Sequence, residues 1–209
     1  CVMKVLLVNG SPHKNGSTNR ALQEVEKTLQ ASGVETEIFW IGNEPVGGCI
    51  GCGGCRKTGA CVFGGVVAEF TGKAKAADGF VFGSPVHYAA ASGNMTSFLD
   101  RVFYSASAET FRFKPAAVVT AARRGGNSAA YEQLLKYPGI SHMPIVSSQY
   151  WNMVHGANAQ DVEQDLEGLQ TMRALGRNMA WLLSCIEAGK DAGINPPAVE
   201  PFQRTNFIR

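Results

Sequence analysis

The sequence contains few charged residues and shows no excess of either sign. Asp, Glu, Lys and Arg make up 17% of the 209 residues, where roughly 25% is usual. The 19 basic side chains nearly balance the 17 acidic ones, which gives a formal net charge of +2. This balance excludes a nucleic-acid or membrane-surface protein that is recognised by charge alone. Because 45% of the residues are hydrophobic, the shortage of charge predicts that a partner subunit covers part of the surface.

Long apolar segments and a targeting sequence are also missing. The longest continuous apolar runs, such as residues 179–183, fall far short of the roughly 18 residues that span a bilayer. No signal peptide with a charged start and an apolar middle is recognisable. Six cysteines are about 3% of the chain, well below the roughly 8–10% of a small disulfide scaffold. We therefore expect a protein of the reducing cytoplasm that binds neither membranes nor nucleic acids.

Sequence motifs of hydrolases are absent as well. The chain contains no obvious pair of catalytic carboxylates, no H-E-x-x-H and no G-x-S-x-G, so hydrolysis is not indicated. His155 has no matching Ser or Cys nucleophile and is expected to make a structural hydrogen bond. Asp100 and Arg101, adjacent on a predicted helix, are expected to form a local ion pair.

Short apolar runs alternate with helical patterns along the chain, which is typical of β-α-β units around a parallel sheet. The sequence predicts five strands, at residues 4–9, 35–40, 79–83, 116–122 and 143–148. It predicts a first helix from Ser17 or Thr18 to Gly33 and a second that follows the glycine-rich segment and ends at about residue 77. Further helices are predicted around 95–102, over 127–137, and over 160–188 with a bend near Gly168 or Gly176.

These elements predict one doubly wound α/β domain over residues 1–209, with strand order 2-1-3-4-5. A glycine- and cysteine-rich insertion covers about residues 42–65, and an extended tail begins at about residue 190. In this architecture a ligand binds beyond the carboxyl ends of strands one, three and four. The loops that follow these strands are therefore the candidate binding segments.

The loop after the first strand, residues 10–19, has the composition of a phosphate site. It is rich in hydroxyl groups and opens onto a helix N-terminus, where free N–H groups and the helix dipole favour an anion. Gly16 is followed by Ser17 without the lysine of a P-loop, and G-x-G-x-x-G is absent, so a triphosphate is not expected. The loop predicts a phosphomonoester held by backbone amides and by neutral side chains, namely Ser11, Ser17, Thr18 and Asn19. The alternative is that Ser17 and Thr18 only cap the helix.

The two remaining loops could surround a flat ring. Pro85 stiffens the loop after strand three, and His87 and Tyr88 offer an aromatic wall with polar tips. The loop after strand four pairs Arg123 and its neighbouring arginine with two glycines, which would let guanidinium and backbone N–H groups approach an electron-rich ring or a second phosphate. Each loop could instead be an ordinary surface turn.

Taken together, these loops resemble the flavodoxin-like NADPH-dependent FMN reductase family. The resemblance covers the chain to about residue 188 and is carried by Asn-Gly-Ser-Pro-His at 9–13, Gly-Ser-Thr-Asn at 16–19, Ser-Pro-Val-His-Tyr at 84–88, Phe-Leu-Asp-Arg at 98–101 and Tyr-Trp-Asn-Met-Val-His-Gly at 150–156. It implies a three-layer flavodoxin-like fold, FMN as cofactor, NADPH or NADH as co-substrate, and a homodimer or homotetramer.

The resemblance also implies roles for individual residues, with the flavin rather than a side chain carrying the chemistry. The FMN phosphate would be bound by Ser11, His13, Ser17, Thr18 and Asn19. The isoalloxazine ring would be lined by Pro85, Val86, His87 and Tyr88. The pyrimidine end of the ring would lie near Arg123, Gly125 and Gly126.

Four cysteines are concentrated in thirteen residues, as Cys49-x2-Cys52-x2-Cys55-x5-Cys61. Thiolates at this spacing can converge on one soft metal centre, and a tight C-x2-C-x2-C run is of the kind used for iron–sulfur clusters. Zinc sites more often pair two C-x2-C knuckles across a longer spacer. The spacing resembles that of iron–sulfur flavoproteins in the same broad family, which implies a [4Fe–4S] cluster. Free or redox-active thiols and another metal are the alternatives.

The other two cysteines are given no role. Cys185 lies in an apolar helical stretch and is expected to be buried and inert. Cys1 and Val2 precede Met3, which suggests a non-standard start rather than a functional thiol.

The sequence thus predicts an FMN-dependent NAD(P)H oxidoreductase that passes electrons to a small-molecule acceptor or a redox partner protein. If the four cysteines hold a cluster, these electrons would pass through it. Two other functions stay open. One is a flavodoxin-type electron carrier without NAD(P)H turnover, which the charge of +2 disfavours because such carriers are strongly acidic. The other is a thiol redox-sensing or interaction protein.

Overall fold

A computed structural model of the chain describes residues 2–205 and 207, so Cys1 lies outside the described residues. The strands are β1 (Lys4–Asn9), β2 (Glu35–Trp40), β3 (Gly79–His87), β4 (Ala90–Ala91), β5 (Ala116–Ala122) and β6 (Met153–His155). The helices are α1 (Ser17–Ala31), α2 (Cys55–Thr58), α3 (Gly65–Ala74), α4 (Gly93–Ser105), α5 (Asn127–Ile140), α6 (Ala159–Val162) and α7 (Leu166–Asp191), and a 3-10 turn covers Ala108–Thr110.

Five parallel strands form the sheet in the order β2-β1-β3-β5-β6, and the short β4 pairs antiparallel with the end of β3. Once β4 is set aside, this is the predicted order 2-1-3-4-5. The predicted fold class, a doubly wound flavodoxin-like α/β fold, is confirmed.

The sheet separates two apolar layers because successive strand residues face opposite sides. In β1, Val5 and Leu7 pack with α1 and α7, whereas Leu6 and Val8 pack with α3, α4 and α5. All four side chains are fully buried. Strands buried on both faces read as continuous apolar runs, which is why β1 and β5 have the predicted bounds. The edge strand β2, in which only Phe39 is buried, also has the predicted bounds.

The predicted fifth strand at residues 143–148 is wrong. Pro144 interrupts that apolar run, and a proline has no N–H to donate to a sheet. The segment makes only an isolated bridge between Ile145 and Ala116, and the fifth parallel strand is the three-residue β6. The carboxyl edge of the sheet therefore ends at His155 and Gly156 rather than at residue 148.

Several predicted element ends also differ from the structure. The predicted helix over 160–188 consists of α6 and α7, which are separated at residues 163–165 rather than bent at a glycine. β3 continues four residues beyond Gly83 because it pairs with β5 as far as Pro85 and then with β4. Cys185 is exposed on α7, so the expectation of a buried thiol is wrong.

No regular secondary structure is present among the described residues after α7. Among the described helices, none combines the length and the apolar character that a bilayer crossing requires.

A buried carboxylate joins α1 to α7. Glu24 is 9% exposed and accepts hydrogen bonds from Arg20 Nη2 at 2.9 Å and from Arg173 Nη1 at 2.6 Å. Burial alone would raise the pKa of Glu24, but hydrogen bonds from Arg173 and Arg20 outweigh burial and hold this pKa below its ordinary value.

We expect Glu24→Gln to lower the free energy of unfolding by about 2 kcal/mol at neutral pH, because Arg173 loses its charged partner and Arg20 keeps only Glu163. The lowered pKa in the folded state means that the contribution of Glu24 is complete above its unfolded-state pKa and disappears as pH falls through the folded-state pKa. Urea unfolding as a function of pH measures this, with exposed Glu132→Gln as control. A constant difference between the wild type and Glu24→Gln down to strongly acidic pH would contradict it.

Candidate functional site

One cleft of about 510 Å³ lies at the carboxyl edge of the sheet, where the loops after β1, β3, β5 and β6 meet. Its volume is in the range of roughly 300–1,000 Å³ that is usual for small-molecule sites. The structure brings eight of the twelve predicted cofactor-binding residues to this cleft: Ser11, His13, Ser17, Thr18, Pro85, Val86, His87 and Arg123.

The loop between β1 and α1 is shaped by contacts from residues that sequence reasoning did not single out. Asn9 is fully buried; its Oδ1 accepts a hydrogen bond from Ser11 N at 3.0 Å, and its Nδ2 donates to Lys14 O at 3.1 Å. Trp40 Nε1 donates to Ser11 O at 2.8 Å, and His13 N donates to Ser11 Oγ at 3.1 Å. These hydrogen bonds, one of them from Trp40 on β2, hold the loop between β1 and α1 in place.

The N-terminus of α1 carries unused hydrogen-bond donors. The helix begins after Gly16, which has no capping side chain, so the alternative that Ser17 or Thr18 caps the helix is wrong. Ser17 Oγ instead donates to Gly156 O at 3.0 Å. The Thr18 hydroxyl is buried and has no partner among the described residues, and the first N–H groups of a helix have no partner inside it.

This arrangement fits a phosphate group. A buried hydroxyl without a partner costs about 1–3 kcal/mol, and an anion at the N-terminus of α1 would accept its hydrogen bond together with those of the backbone. Neutral donors and a helix dipole suit a phosphomonoester, as the sequence predicts. The residues present therefore fit the phosphate of FMN.

The loop after β3 forms a second side of the cleft through Pro85, Val86 and His87. Tyr88 and Ala89 follow with φ of 52° and 59°, in the left-handed region that non-glycine residues rarely adopt. The Tyr88 side chain is fully exposed, so its ring does not line the cleft. Two consecutive residues in this conformation store backbone strain, which is often found at binding sites.

The loop after β5 supplies Arg123 to the cleft, and its Gly126 contacts the neighbouring loop instead. Gly126 has φ +94°, and a Cβ built there would lie 2.7 Å from Ala89 Cα and 2.9 Å from Val86 Cγ1. Gly126 therefore permits close contact between two sides of the cleft. Asn19, Tyr88, Gly125 and Gly126 do not line the cleft, and the roles predicted for them stay predictions.

The fourth side of the cleft was missed by sequence reasoning. Residues 156–160, between β6 and α6, line it next to Ser17. Because the fifth strand was predicted at residues 143–148, the loop after β6 was not expected at the cleft, although the resemblance included the motif at 150–156. The His155 imidazole does not make the expected structural hydrogen bond: its Nδ1 lies 3.7 Å from Asp165 Oδ2, and it is the backbone N–H of His155 that donates to this oxygen, at 2.6 Å.

The cysteine-rich segment lies apart from this cleft, along α4. Cys49, Cys52, Cys55 and Cys61 all line one small pocket. Glycines on both sides of Cys52, Gly51 and Gly53, have φ of +66° and +68°, which lets the chain turn tightly between the thiols.

The donor set that lines this pocket, four cysteines, is of the kind that a soft metal centre requires. Among residues 2–205 and 207, no three His, Cys, Asp or Glu side chains are gathered in a metal-binding arrangement. The Cys55 thiol lies 3.8 Å from Tyr104 O. A cluster would therefore require the four sulfur atoms to converge further within the pocket that they already share.

Arg101 on α4 belongs to this pocket and not to an ion pair with Asp100. Its guanidinium is directed to Cys61 Sγ, 3.3 Å from Nε, whereas Asp100 accepts a hydrogen bond from the Tyr137 hydroxyl at 2.6 Å. The predicted ion pair is wrong because adjacent residues of a helix do not face each other.

The contact between Arg101 and Cys61 changes the acidity of the thiol. Burial would raise the pKa of Cys61, but hydrogen bonds from Arg101 and from the backbone of Phe63 outweigh burial and hold this pKa below its ordinary value. Cys61 is therefore more readily deprotonated than an ordinary thiol, as a metal ligand must be.

Residues 3–158 match the family model described as "NADPH-dependent FMN reductase". The chain is 30% identical to an iron–sulfur flavoprotein of Methanocaldococcus jannaschii over 192 residues, covering 88% of this chain and 100% of the relative. It is 30% identical to an iron–sulfur flavoprotein of Clostridioides difficile, covering 99% of this chain and 87% of the relative. A flavodoxin structure from the domain Archaea superposes with a TM-score of 0.60 at 14% identity, covering 87% of this chain and 99% of the flavodoxin. The cleft geometry and these similarities agree, and the chain belongs to the NADPH-dependent FMN reductase family of FMN-binding oxidoreductases.

Proposed function

We propose that this protein is an NAD(P)H-dependent FMN oxidoreductase whose flavin occupies the cleft at the carboxyl edge of the sheet. The observation that carries the proposal is the buried, unpartnered Thr18 hydroxyl at the N-terminus of α1, facing a cleft whose other sides are the predicted ring loops. FMN supplies hydride acceptance and the release of electrons in steps of one or two.

The protein's own residues would bind and orient the cofactor. The α1 amides, with Ser11, His13, Ser17 and Thr18, would hold the phosphate. Pro85, Val86 and His87 would lie along the ring. Arg123 would place a fixed positive charge near the pyrimidine end, where it favours negative charge on the ring. No side chain is needed as a general base. The predicted cofactor contacts of Asn19, Tyr88, Gly125 and Gly126 stay predictions, and Gly126 also allows the close approach to Ala89.

We further propose that Cys49, Cys52, Cys55 and Cys61 hold a [4Fe–4S] cluster. Their shared pocket and the lowered pKa of Cys61 support this, as do the names of the relatives, iron–sulfur flavoproteins. A cluster would supply one-electron transfer toward the acceptor, a small molecule or a redox partner protein.

The remaining parts of the proposal concern the assembly and its surroundings. We propose a homodimer or homotetramer in a reducing cytoplasm. Exposed aromatic side chains, Tyr150, Trp151 and Trp181, are each more than half exposed and are suited to contact another subunit.

The test is a visible spectrum of protein purified without oxygen, with assays of iron and acid-labile sulfide. We expect flavin absorption with about four iron and about four sulfide per protomer. The double change Cys52→Ser and Cys55→Ser should abolish iron binding and retain FMN, and Cys185→Ser, at an exposed cysteine outside the segment, should change neither. Flavin without iron in the wild type would overturn the cluster, and failure to bind added FMN would overturn the whole proposal.

A further inference from the structure

We infer that Arg101 is a positioning residue that holds the two ends of the Gly/Cys-rich segment, residues 42–65, together against α4. The effect that we expect Arg101 to have on a metal centre rests on the proposed function. Its effect on the segment itself does not depend on any metal. The inference follows from the hydrogen-bond acceptors of the three guanidinium nitrogens.

Each nitrogen of the Arg101 guanidinium donates to a different part of the segment. Nε lies 3.3 Å from Cys61 Sγ, Nη1 lies 3.4 Å from Gly47 O, and Nη2 lies 3.1 Å from Gly64 O. Gly47 precedes the first of the four cysteines, and Gly64 follows the last. One side chain on α4 therefore joins the two ends of the cysteine-bearing segment.

Burial makes these contacts strong. Arg101 is only 7% exposed, and the exposed ring of Phe63 lies over its guanidinium, with 5.6 Å from Cζ to the ring centroid. Hydrogen bonds from a charged group that is shielded from water contribute more than exposed ones. A buried arginine that lost these acceptors would leave its charge without partners.

The other contacts between this segment and the end of α4 are weaker. Cys55 Sγ is 3.8 Å from Tyr104 O, and Arg56 Nη2 donates to the exposed Tyr104 hydroxyl at 3.1 Å. The short helix α2 buries none of its residues. Arg101 is therefore the buried polar anchor of the segment on this part of α4.

A lysine could not replace this arrangement. The rigid, planar guanidinium presents separate N–H groups in fixed directions, whereas an ammonium is a single point at the end of a flexible stem. Arg101→Lys keeps the charge but cannot reach Gly47, Cys61 and Gly64 together. This difference separates a role in holding the segment from a role of charge alone.

The experiment compares Arg101→Lys and Arg101→Gln with Arg56→Gln, which removes a positive charge beside the same pocket, and with Arg177→Gln, at an exposed arginine on α7. Backbone hydrogen exchange of residues 47–64 is followed by mass spectrometry in each full-length protein. Iron retention against a chelator and FMN affinity are measured in parallel.

We expect both Arg101 variants to exchange the amides of residues 47–64 about tenfold faster than the wild type and to retain iron about 10- to 100-fold less tightly. FMN affinity should change by less than about threefold in both, since the cleft is built from other loops. Arg56→Gln and Arg177→Gln should exchange like the wild type.

Wild-type exchange in Arg101→Lys would show that charge alone matters and would overturn the inference, as would unchanged exchange in Arg101→Gln. Loss of FMN binding in both variants would show general misfolding and would also overturn a role confined to the segment. If the wild type binds no iron, the proposed cluster fails, while the exchange rates still decide the role of Arg101.

Discussion

Ser17→Asp should weaken FMN binding by at least about 100-fold while leaving riboflavin binding nearly unchanged. The new carboxylate would lie at the N-terminus of α1, where the phosphate of FMN is proposed to bind. Two unit charges about 4 Å apart repel by about 4 kcal/mol at an effective dielectric constant near 20, and about 1.4 kcal/mol corresponds to a tenfold change in affinity. Riboflavin has no phosphate and would not experience this repulsion.

The same substitution should not destabilise the FMN-free protein through the helix. The first turn of α1 contains no acidic residue, and a carboxylate there interacts favourably with the helix dipole by about 0.3–1 kcal/mol. Ser17→Asn, which is neutral and can still donate toward Gly156 O, is the matched control and should weaken FMN binding by less than about tenfold. Fluorescence titration with both flavins measures the effect. Equal losses of FMN and riboflavin affinity would contradict a phosphate site at Ser17.

Gly126→Ala should lower the free energy of unfolding by about 3 kcal/mol and weaken FMN binding by more than about tenfold. The φ of +94° disfavours any side chain, and the added Cβ would lie 2.7 Å from the backbone of Ala89. Ala89 already has φ 59° and therefore has little freedom to move. The loop that carries Val86 and His87 would have to shift away from the cleft.

The neighbouring glycine provides a control for this steric argument. A Cβ at Gly125 would meet nothing within 4 Å, so Gly125→Ala should change the free energy of unfolding by less than about 1 kcal/mol. Urea unfolding of both FMN-free variants tests the difference. Comparable destabilisation by the two substitutions would show that the contact between Gly126 and Ala89 is unimportant.

Much of the fold can be predicted from the sequence, because buried parallel strands appear as uninterrupted apolar runs. β1 and β5 illustrate this. β6 could not be predicted in the same way: three residues carry almost no periodic signal, and the longer apolar stretch around Pro144 resembles a strand more closely.

The candidate site was only partly predictable. Each of its loops is a continuous stretch of sequence, but some of the contacts that hold these loops come from residues far away in the chain. Ser11, Ser17 and Thr18 follow from a strand that leads into a helix. Asn9 shapes the same loop through local hydrogen bonds, whereas Trp40 reaches it from β2 through a tertiary hydrogen bond that no local pattern indicates. Arg101 was misassigned for the same reason, because its partners lie 37 to 54 residues away in the chain.

The central claim is that a nicotinamide reduces FMN bound in the cleft of this protein. The most direct measurement is the anaerobic addition of NADPH or NADH to the FMN-loaded protein while the visible flavin absorption is recorded. We predict that stoichiometric nicotinamide bleaches this absorption and that an added acceptor restores it. A flavin that stays oxidised with both nicotinamides, yet is reduced by dithionite, would contradict the claim and would indicate an electron carrier instead.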